Sequence, residues 1–166
     1  MVSHDANTKY KGDKMSEYDI IEYTEDMQGR VHEFFSEVFP ESNKEFELNG
    51  RHSVFADIKR NFIGFWCMLD SEKIIGTVAL KKLNDKECEL KGLYLFKKYH
   101  GNKLGYRLAK TAVDFAKEQG FSLVKLDTMS AYDKALRLYE KMGFQRCERY
   151  NNNERANIFM ELYLER

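Results

Sequence analysis

The first third of the chain contains two stretches whose apolar residues recur with a regular period. Residues 18–24 (YDIIEYT) predict a short strand, because aromatic and β-branched residues dominate them. Residues 25–39 predict a helix, and its apolar positions are Val31, Phe34, Phe35 and Val38. We expect Pro40 to end this helix, because proline cannot continue one. Residues 41–61 fit neither period.

Three consecutive strands are predicted in the middle of the chain. Residues 62–69 (FIGFWCML) and 74–83 (IIGTVALKKL) are apolar runs joined by a polar turn, which is typical of a hairpin. Residues 88–96 form a third strand after the polar Asn-Asp-Lys turn. The three strands therefore predict an antiparallel meander.

The apolar period becomes helical after the meander. Residues 103–119 predict a helix that Gly120 ends, and residues 122–128 (SLVKLDT) predict another strand. A strand, a helix and a strand in this order form a βαβ unit, so the strands at 88–96 and 122–128 should run parallel.

A second helix and two strands complete the chain. Ser130 and Asp133 have the spacing of a capping box, and they predict a helix that ends at Gly143. Residues 144–150 and 158–164 predict the closing strands. The sum is an α+β fold with a mixed, mostly antiparallel central sheet of six to seven strands, one βαβ unit, and helices on both faces.

The composition indicates one domain. Residues 1–16 are polar and should form a disordered tail, whereas residues 17–166 should form a single domain of ordinary size. The 27 basic residues balance the 27 acidic ones, which argues against nucleic acid as a partner. The longest apolar run is far shorter than a membrane span, so we expect no membrane partner and a cytoplasmic protein.

Cysteine and histidine do not form a recognisable site. The three cysteines, Cys67, Cys88 and Cys147, have no spacing typical of disulfides or metal clips, so we expect free thiols that are mostly buried. The four histidines are scattered, and no metal is expected.

Positive charge is concentrated where the βαβ helix begins. No acidic residue lies between Lys91 and Val113, although the chain as a whole is neutral. Six basic residues share this stretch: Lys91, Lys97, Lys98, Lys103, Arg107 and Lys110. A helix N-terminus flanked by Gly101 and Gly105 favours a phosphate group, although a solvated helix face is the alternative interpretation. The Walker loop and the full dinucleotide fingerprint are absent.

Two motifs resemble those of the GNAT acetyltransferase superfamily. Residues 100–105 fill the frame of the family's pyrophosphate loop, with His100 in place of Arg or Gln and Lys103 in place of a glycine. Residues 135–144 (ALRLYEKMGF) resemble the family's second signature. The resemblance implies the GNAT fold and acetyl-CoA as co-substrate. Backbone donors at the loop do not require particular side chains, provided that Lys103 needs no positive φ.

The resemblance also assigns cofactor contacts. It implies that the strand segment Leu93, Tyr94 and Leu95 pairs with the pantetheine arm, and Gly92 would suit a bulge that opens a gap toward the parallel strand. Tyr132 stands where the family usually has an asparagine that contacts the same arm. The implied pyrophosphate loop consists of His100, Gly101, Asn102, Lys103, Leu104, Gly105 and Tyr106.

Three residues are candidates for proton transfer. The resemblance implies that Tyr139 is the general acid for the leaving thiolate. Glu89, on the same strand face as Leu93 if no bulge intervenes, is one candidate base, and Asp127 is the other. The alternative for Glu89 is a surface residue paired with Lys91 or Lys81.

The predicted function is transfer of acetyl directly to an amine in a ternary complex. The acceptor is a small-molecule amine or a peptide amino group, and residues 16–47, with ten acidic and two basic residues, favour a cationic one. A homodimer is possible. The alternative is a non-catalytic acyl-CoA sensor or interaction module.

Overall fold

One mixed sheet runs through the part of the chain that the computed structural model describes, residues 18–165. The strands are β1 (Asp19–Glu22), β2 (Gly64–Asp70), β3 (Lys73–Lys82), β4 (Glu87–Leu95), β5 (Leu123–Thr128), β6 (Gln145–Arg146) and β7 (Ile158–Tyr163). Their order is β1-β2-β3-β4-β5-β7-β6, and among these strands only β4 and β5 pair in parallel. The predicted fold class is confirmed. The predicted tail, residues 1–16, lies outside the described residues, and the division into tail and domain stays a prediction.

Helices cover both faces of this sheet. They are α1 (Gln28–Val38), α2 (Ile58–Asn61), α3 (Leu104–Glu118) and α4 (Asp133–Met142), with short 3-10 turns between them. Phe65 and Trp66 are neighbours on β2, so their side chains point to opposite faces. Phe65 packs against Phe55 beside α1, whereas Trp66 packs edge-on against Phe115 of α3. The helices α1 and α3 therefore lie on opposite sides of the sheet.

The first helix ends as predicted, because α1 stops at Val38 and Pro40 lies in the 3-10 turn Phe39–Ser42 that follows it. Two other local predictions need correction. The predicted capping box is not formed: α4 begins after Tyr132, and the Ser130 hydroxyl accepts a hydrogen bond from Asn157 Nδ2 at 2.9 Å. The strand predicted at 144–150 contains only the two residues of β6, and a loop follows it.

The cysteines agree in part with the prediction. All three are free thiols; Cys67 and Cys88 are buried, while Cys147 is partly exposed. Burial raises the pKa of both the Cys67 and the Cys88 thiol to about 12, so neither is a nucleophile at neutral pH. Across residues 18–165, no helix has the length and apolar character needed to cross a bilayer.

Candidate active site

The sheet opens at the parallel pair. The strands β4 and β5 are in register only at three positions, the last of which joins Glu89 to Lys125. Beyond that pair, β4 continues along β3 as far as Leu95, and β5 continues along β7 as far as Thr128. The two strands are not paired with each other beyond Glu89 and Lys125, and a gap begins between them there.

A bulge at Gly92 lies beside this gap. Gly92 has a φ of +63°, and its carbonyl accepts a hydrogen bond from Thr77 Oγ1 at 2.7 Å. The β3–β4 register shifts here, so that Lys91 lies opposite Ala79 and Tyr94 lies opposite Thr77. Directly opposed residues share a sheet face. The bulge therefore places Tyr94, and not Leu93 as the uninterrupted alternation predicted, on the face of Glu89.

The predicted pyrophosphate loop lies between β4 and α3. Gly101 has a φ of +92°, and Lys103 also adopts a left-handed conformation with a φ of +59°. The condition that Lys103 needs no positive φ is therefore not met, and this lysine carries a backbone cost of about 1–2 kcal/mol. His100 Nε2 lies 2.9 Å from the Leu95 carbonyl oxygen, which ties the loop to the end of β4.

The first turn of α3 gives the loop its hydrogen-bonding capacity. The N–H groups that begin a helix have no intrahelical acceptor, and those of Leu104, Gly105 and Tyr106 occupy this position. A Cβ on Gly105 would lie 3.2 Å from Leu138 Cδ1, so glycine lets α3 approach α4 closely. Asn102 is exposed, and the buried Leu104 side chain packs in the core, so Leu104 offers the loop only its backbone.

A buried tyrosine and a partly buried one lie near the gap. Tyr139 of α4 is 8% exposed and packs edge-on against Phe144. Burial above all, and then the neighbouring Tyr94 phenol and the Asp127 carboxylate, raise the pKa of Tyr139 far above its ordinary value. Burial likewise raises the pKa of Tyr94, whose ring packs 4.6 Å from that of Phe39. Both phenols therefore keep their protons at neutral pH.

The segment after α1 reaches across to the other side of the gap. Lys44 Nζ lies 4.4 Å from the centre of the Tyr132 ring, which precedes α4. Glu41 Oε1 accepts a hydrogen bond from the backbone N–H of Lys97 at 2.9 Å, just after β4 ends. Tyr132 thus has a cation above its ring, a contact that the asparagine usual at this position would not make.

The two candidate bases lie together. Glu89 is only 4% exposed, so the interpretation as a surface residue is wrong, although its predicted partner Lys91 does lie 3.3 Å from Oε1. Tyr150 donates a hydrogen bond to Glu89 Oε2 at 2.6 Å. Asn151 Nδ2 lies 3.3 Å from Glu89 Oε2 and 2.6 Å from Asp127 Oδ2. Burial, followed by the Glu89 charge, raises the pKa of Tyr150, which therefore remains a donor.

The sequence did not reveal the residues that join these carboxylates. Tyr150, Asn151 and Asn153 belong to the loop between β6 and β7, and only Tyr150 falls within the strand that the sequence predicts at 144–150. Asn153 Nδ2 completes the group at 3.3 Å from Asp127 Oδ1. Three consecutive asparagines, 151–153, are a turn signal that could have indicated a loop here. No group of three potential metal ligands occurs in residues 18–165, and the expectation of a metal-free enzyme stays a prediction.

Curated proteins similar to this chain are N-acetyltransferases. The probable N-acetyltransferase camello of Xenopus laevis is 34% identical over 84 residues, which are 49% of this chain and 38% of that protein. N-acetyltransferase 8 of Mus musculus is 32% identical over 105 residues, which are 57% of this chain and 46% of that protein. The matching segment is therefore less than half of each of these two relatives.

Solved structures share the fold at lower identity. A GNAT family acetyltransferase from Staphylococcus aureus Mu50 has a TM-score of 0.80 at 23% identity and covers 89% of this chain and 99% of its own. The PaiA N-acetyltransferase of Thermoplasma acidophilum, in complex with coenzyme A, has a TM-score of 0.71 at 19% identity, with coverages of 90% and 100%. The sequence model of the "Acetyltransferase (GNAT) family" matches residues 25–144. The chain belongs to the GNAT acetyltransferase family, as the motifs at residues 100–105 and 135–144 predicted.

Proposed function

We propose that this chain is an acetyl-CoA-dependent N-acetyltransferase that transfers acetyl directly to an amine in a ternary complex. The observation that carries the proposal is the set of groups around the gap between β4 and β5. A protonated phenol, Tyr139, lies within electrostatic range of Asp127, and Asn151 joins Asp127 to Glu89. Transfer from a thioester to an ammonium requires one group that gives a proton and another that takes one.

The residues of the loop and gap fit acetyl-CoA, which supplies an acetyl thioester when bound. The free N–H groups at the start of α3 suit a pyrophosphate, because they are unpaired donors at the positive end of a helix dipole. Gly101 leaves open space beside them, since nothing lies within 4 Å of where its Cβ would be. The backbone of Leu93, Tyr94 and Leu95 borders the gap, where its polar groups would hold the pantetheine arm. Tyr132 would contact that arm through its aromatic ring, whereas the asparagine usual in the family would contact it through a side-chain amide.

The acceptor reaches the carboxylates from the α1 face of the sheet. Glu89 and Tyr94 share that face, and Tyr94 packs against Phe39 just after α1. Glu89 would take the proton of the acceptor ammonium, and Asp127 is the second candidate for this step. Tyr139 would give its proton to the departing sulfur. No covalent bond to the protein is needed for this sequence of transfers.

The acceptor class is a small-molecule amine or a peptide amino group. The acidic residues of 16–47 support a cationic acceptor, although Glu25 and Glu37 lie in exposed ion pairs with Lys59 and Lys73. We also propose a cytoplasmic location for the reaction. A homodimer stays a prediction that sedimentation would test.

A thiol-release assay tests the proposal. Acetyl-CoA is incubated with the protein and with separate polyamines, amino acids, aminoglycosides and peptides, and free CoA thiol is measured. We expect release that depends on one class of amine, together with an increased melting temperature in acetyl-CoA. Cofactor binding without thiol release across all four classes would overturn the catalytic proposal.

That outcome would favour the second candidate, a non-catalytic acyl-CoA sensor. Two observations support this candidate: Lys103 occupies a left-handed position where the family has glycine, and Lys44 covers the ring of Tyr132. Both departures lie on the cofactor side of the gap. A sensor would bind acetyl-CoA and CoA with different affinities, which calorimetry measures directly.

A further inference from the structure

Asn151 connects two strands at the point where their backbones separate. Glu89 is the last residue of β4 in register with β5, and its register partner is Lys125. Asp127 lies two residues further along β5, on the same face as Lys125. The Asn151 amide donates to both carboxylates, at 3.3 Å and 2.6 Å. A single side chain thus spans the start of the gap.

The orientation of this amide is fixed by its own loop. The Asn151 Oδ1 atom accepts a hydrogen bond from the backbone N–H of Asn153 at 3.0 Å, so the nitrogen faces the carboxylates. Arg149 holds the same loop, because it donates to the carbonyl oxygens of Asn153 at 2.9 Å and Ala156 at 3.0 Å. Its guanidinium also packs over the Phe159 ring at 4.6 Å. The loop is therefore built to present the Asn151 amide.

We propose that Asn151 is a positioning residue for deprotonation of the acceptor amine: its amide couples Glu89 to Asp127 and holds both carboxylates toward one space. The inference rests on the proposed function. Asn151 itself neither takes nor gives a proton, because a carboxamide does not titrate in the working range of pH. Asn151 therefore affects the reaction only through the two carboxylates. Its amide joins groups from two strands at the point where the backbone pairing of those strands ends.

Other charged and titratable groups surround the pair. Lys91 on β4 contacts Glu89, while Lys125 on β5 pairs with Glu87 at 3.3 Å and lies over the Tyr150 ring. Three tyrosines also act on the pair: Tyr94 and Tyr139 interact electrostatically with Asp127, and Tyr150, the hydrogen-bond donor to Glu89, interacts with Asp127 and Cys147 as well. None of these groups hydrogen-bonds to both carboxylates, as Asn151 does.

The test replaces the amide by a third carboxylate. Asn151→Asp keeps the shape of the side chain but turns a double donor into an acceptor with a like charge. We expect the acidic limb of the pH profile of kcat to move to higher pH by about one unit, because a neighbouring negative charge favours the protonated form of a carboxyl group. The matched control is Asn152→Asp, which adds the same charge at the exposed neighbouring position and should leave the limb unchanged. Asn151→Ala should lower kcat about tenfold without changing the acetyl-CoA Kd.

A second readout does not depend on activity. Carbon-13 carboxyl shifts of Glu89 and Asp127 are followed against pH in the unaltered protein, in Asn151→Asp and in Asn152→Asp. Movement of both titrations in Asn151→Asp alone supports the inference, whereas movement of one titration or of neither overturns it. If Asn151→Asp does not fold, Asn151→Ala is titrated in the same way, with a smaller upward movement expected. Absence of thiol release from the unaltered protein would contradict the proposed function instead, and the carboxyl titrations would still decide on Asn151.

Discussion

The proposed cofactor side and the proposed acceptor side of this molecule are built in different ways. On the proposed cofactor side, residues 100–106 form one continuous segment, and the groups it offers to a ligand are backbone N–H donors. On the acceptor side, the groups are side chains from β4, β5 and the loop after β6. A site made of backbone groups in one segment can be predicted from glycines at fixed spacing in the sequence. A site made of side chains from distant segments cannot be predicted in this way, because the folded sheet is what brings them together.

The largest effect is expected on the acceptor side. Glu89→Gln should lower kcat by about 10³-fold while leaving the acetyl-CoA Kd unchanged, because the buried carboxylate is the preferred proton acceptor. Stopped-flow thiol release and calorimetry measure the two quantities. Asp127→Asn is the matched variant, and a larger loss of kcat there than in Glu89→Gln would reverse the assignment of the base.

A somewhat smaller effect is expected at the acid. Tyr139→Phe should lower kcat by about 10²-fold with a normal cofactor affinity, since only the proton donor is removed. Tyr163→Phe is the control, because that tyrosine is 68% exposed and lies at the end of β7.

The pH dependence of kcat is a further test of the role of Tyr139. The pKa of Tyr139 is raised by burial, so the phenol stays protonated throughout neutral and mildly alkaline pH. The unaltered protein should therefore show no loss of kcat from this group as pH rises to about 10, the ordinary pKa of tyrosine. An alkaline limb below that pH that is absent from Tyr139→Phe would contradict the raised pKa of Tyr139, whereas a limb that persists in Tyr139→Phe would belong to another group.

On the cofactor side the expected effects are steric. Gly105→Val should weaken acetyl-CoA binding and destabilise the fold by about 1–3 kcal/mol, because the added atoms meet Leu138. Calorimetry and thermal unfolding measure the two effects. Gly29→Val is the control: this glycine also lies in a helix, and nothing surrounds the position of its Cβ. Equal losses in both variants would mean that helix propensity alone is responsible.

The smallest effect concerns Lys103. Lys103→Gly should increase the free energy of unfolding by about 1 kcal/mol or less, because glycine tolerates the left-handed conformation but is more flexible when unfolded. Thermal unfolding should show a melting temperature about 2–4 °C higher. Asn102→Gly, at a position outside the left-handed region, should lower it. An increase in both variants would refute the strain at Lys103.

Most of the fold was predictable because its signals are local. The helix predicted at 103–119 is α3, Leu104–Glu118, and the strand predicted at 88–96 is β4, Glu87–Leu95. Apolar periodicity suffices where an element packs one face on the core. It failed at 144–150, since a two-residue edge strand carries no period that could be distinguished from a loop.

Only the parts of the candidate site that belong to sequence motifs could be predicted. The sequence offers Tyr139, Glu89 and Asp127 as candidates, and their catalytic roles stay predictions, but it gives no information on their environment. The bulge at Gly92 changes which residue shares the face of Glu89, and a bulge is a property of two paired strands. Asn151 lies 62 residues from Glu89, so no local pattern could indicate their contact.

The loop that Arg149 stabilises lies between β6 and β7 and takes no part in the strand pairing of the sheet. The bonds of Arg149 go to carbonyls of this loop, but Tyr150 and Asn151 contact the buried Glu89, so we expect exposed positions such as Asn152 to accept substitutions more readily than these two. Variation at the exposed positions of this loop should therefore alter the proposed acceptor side while leaving the proposed pyrophosphate loop, residues 100–106, in place.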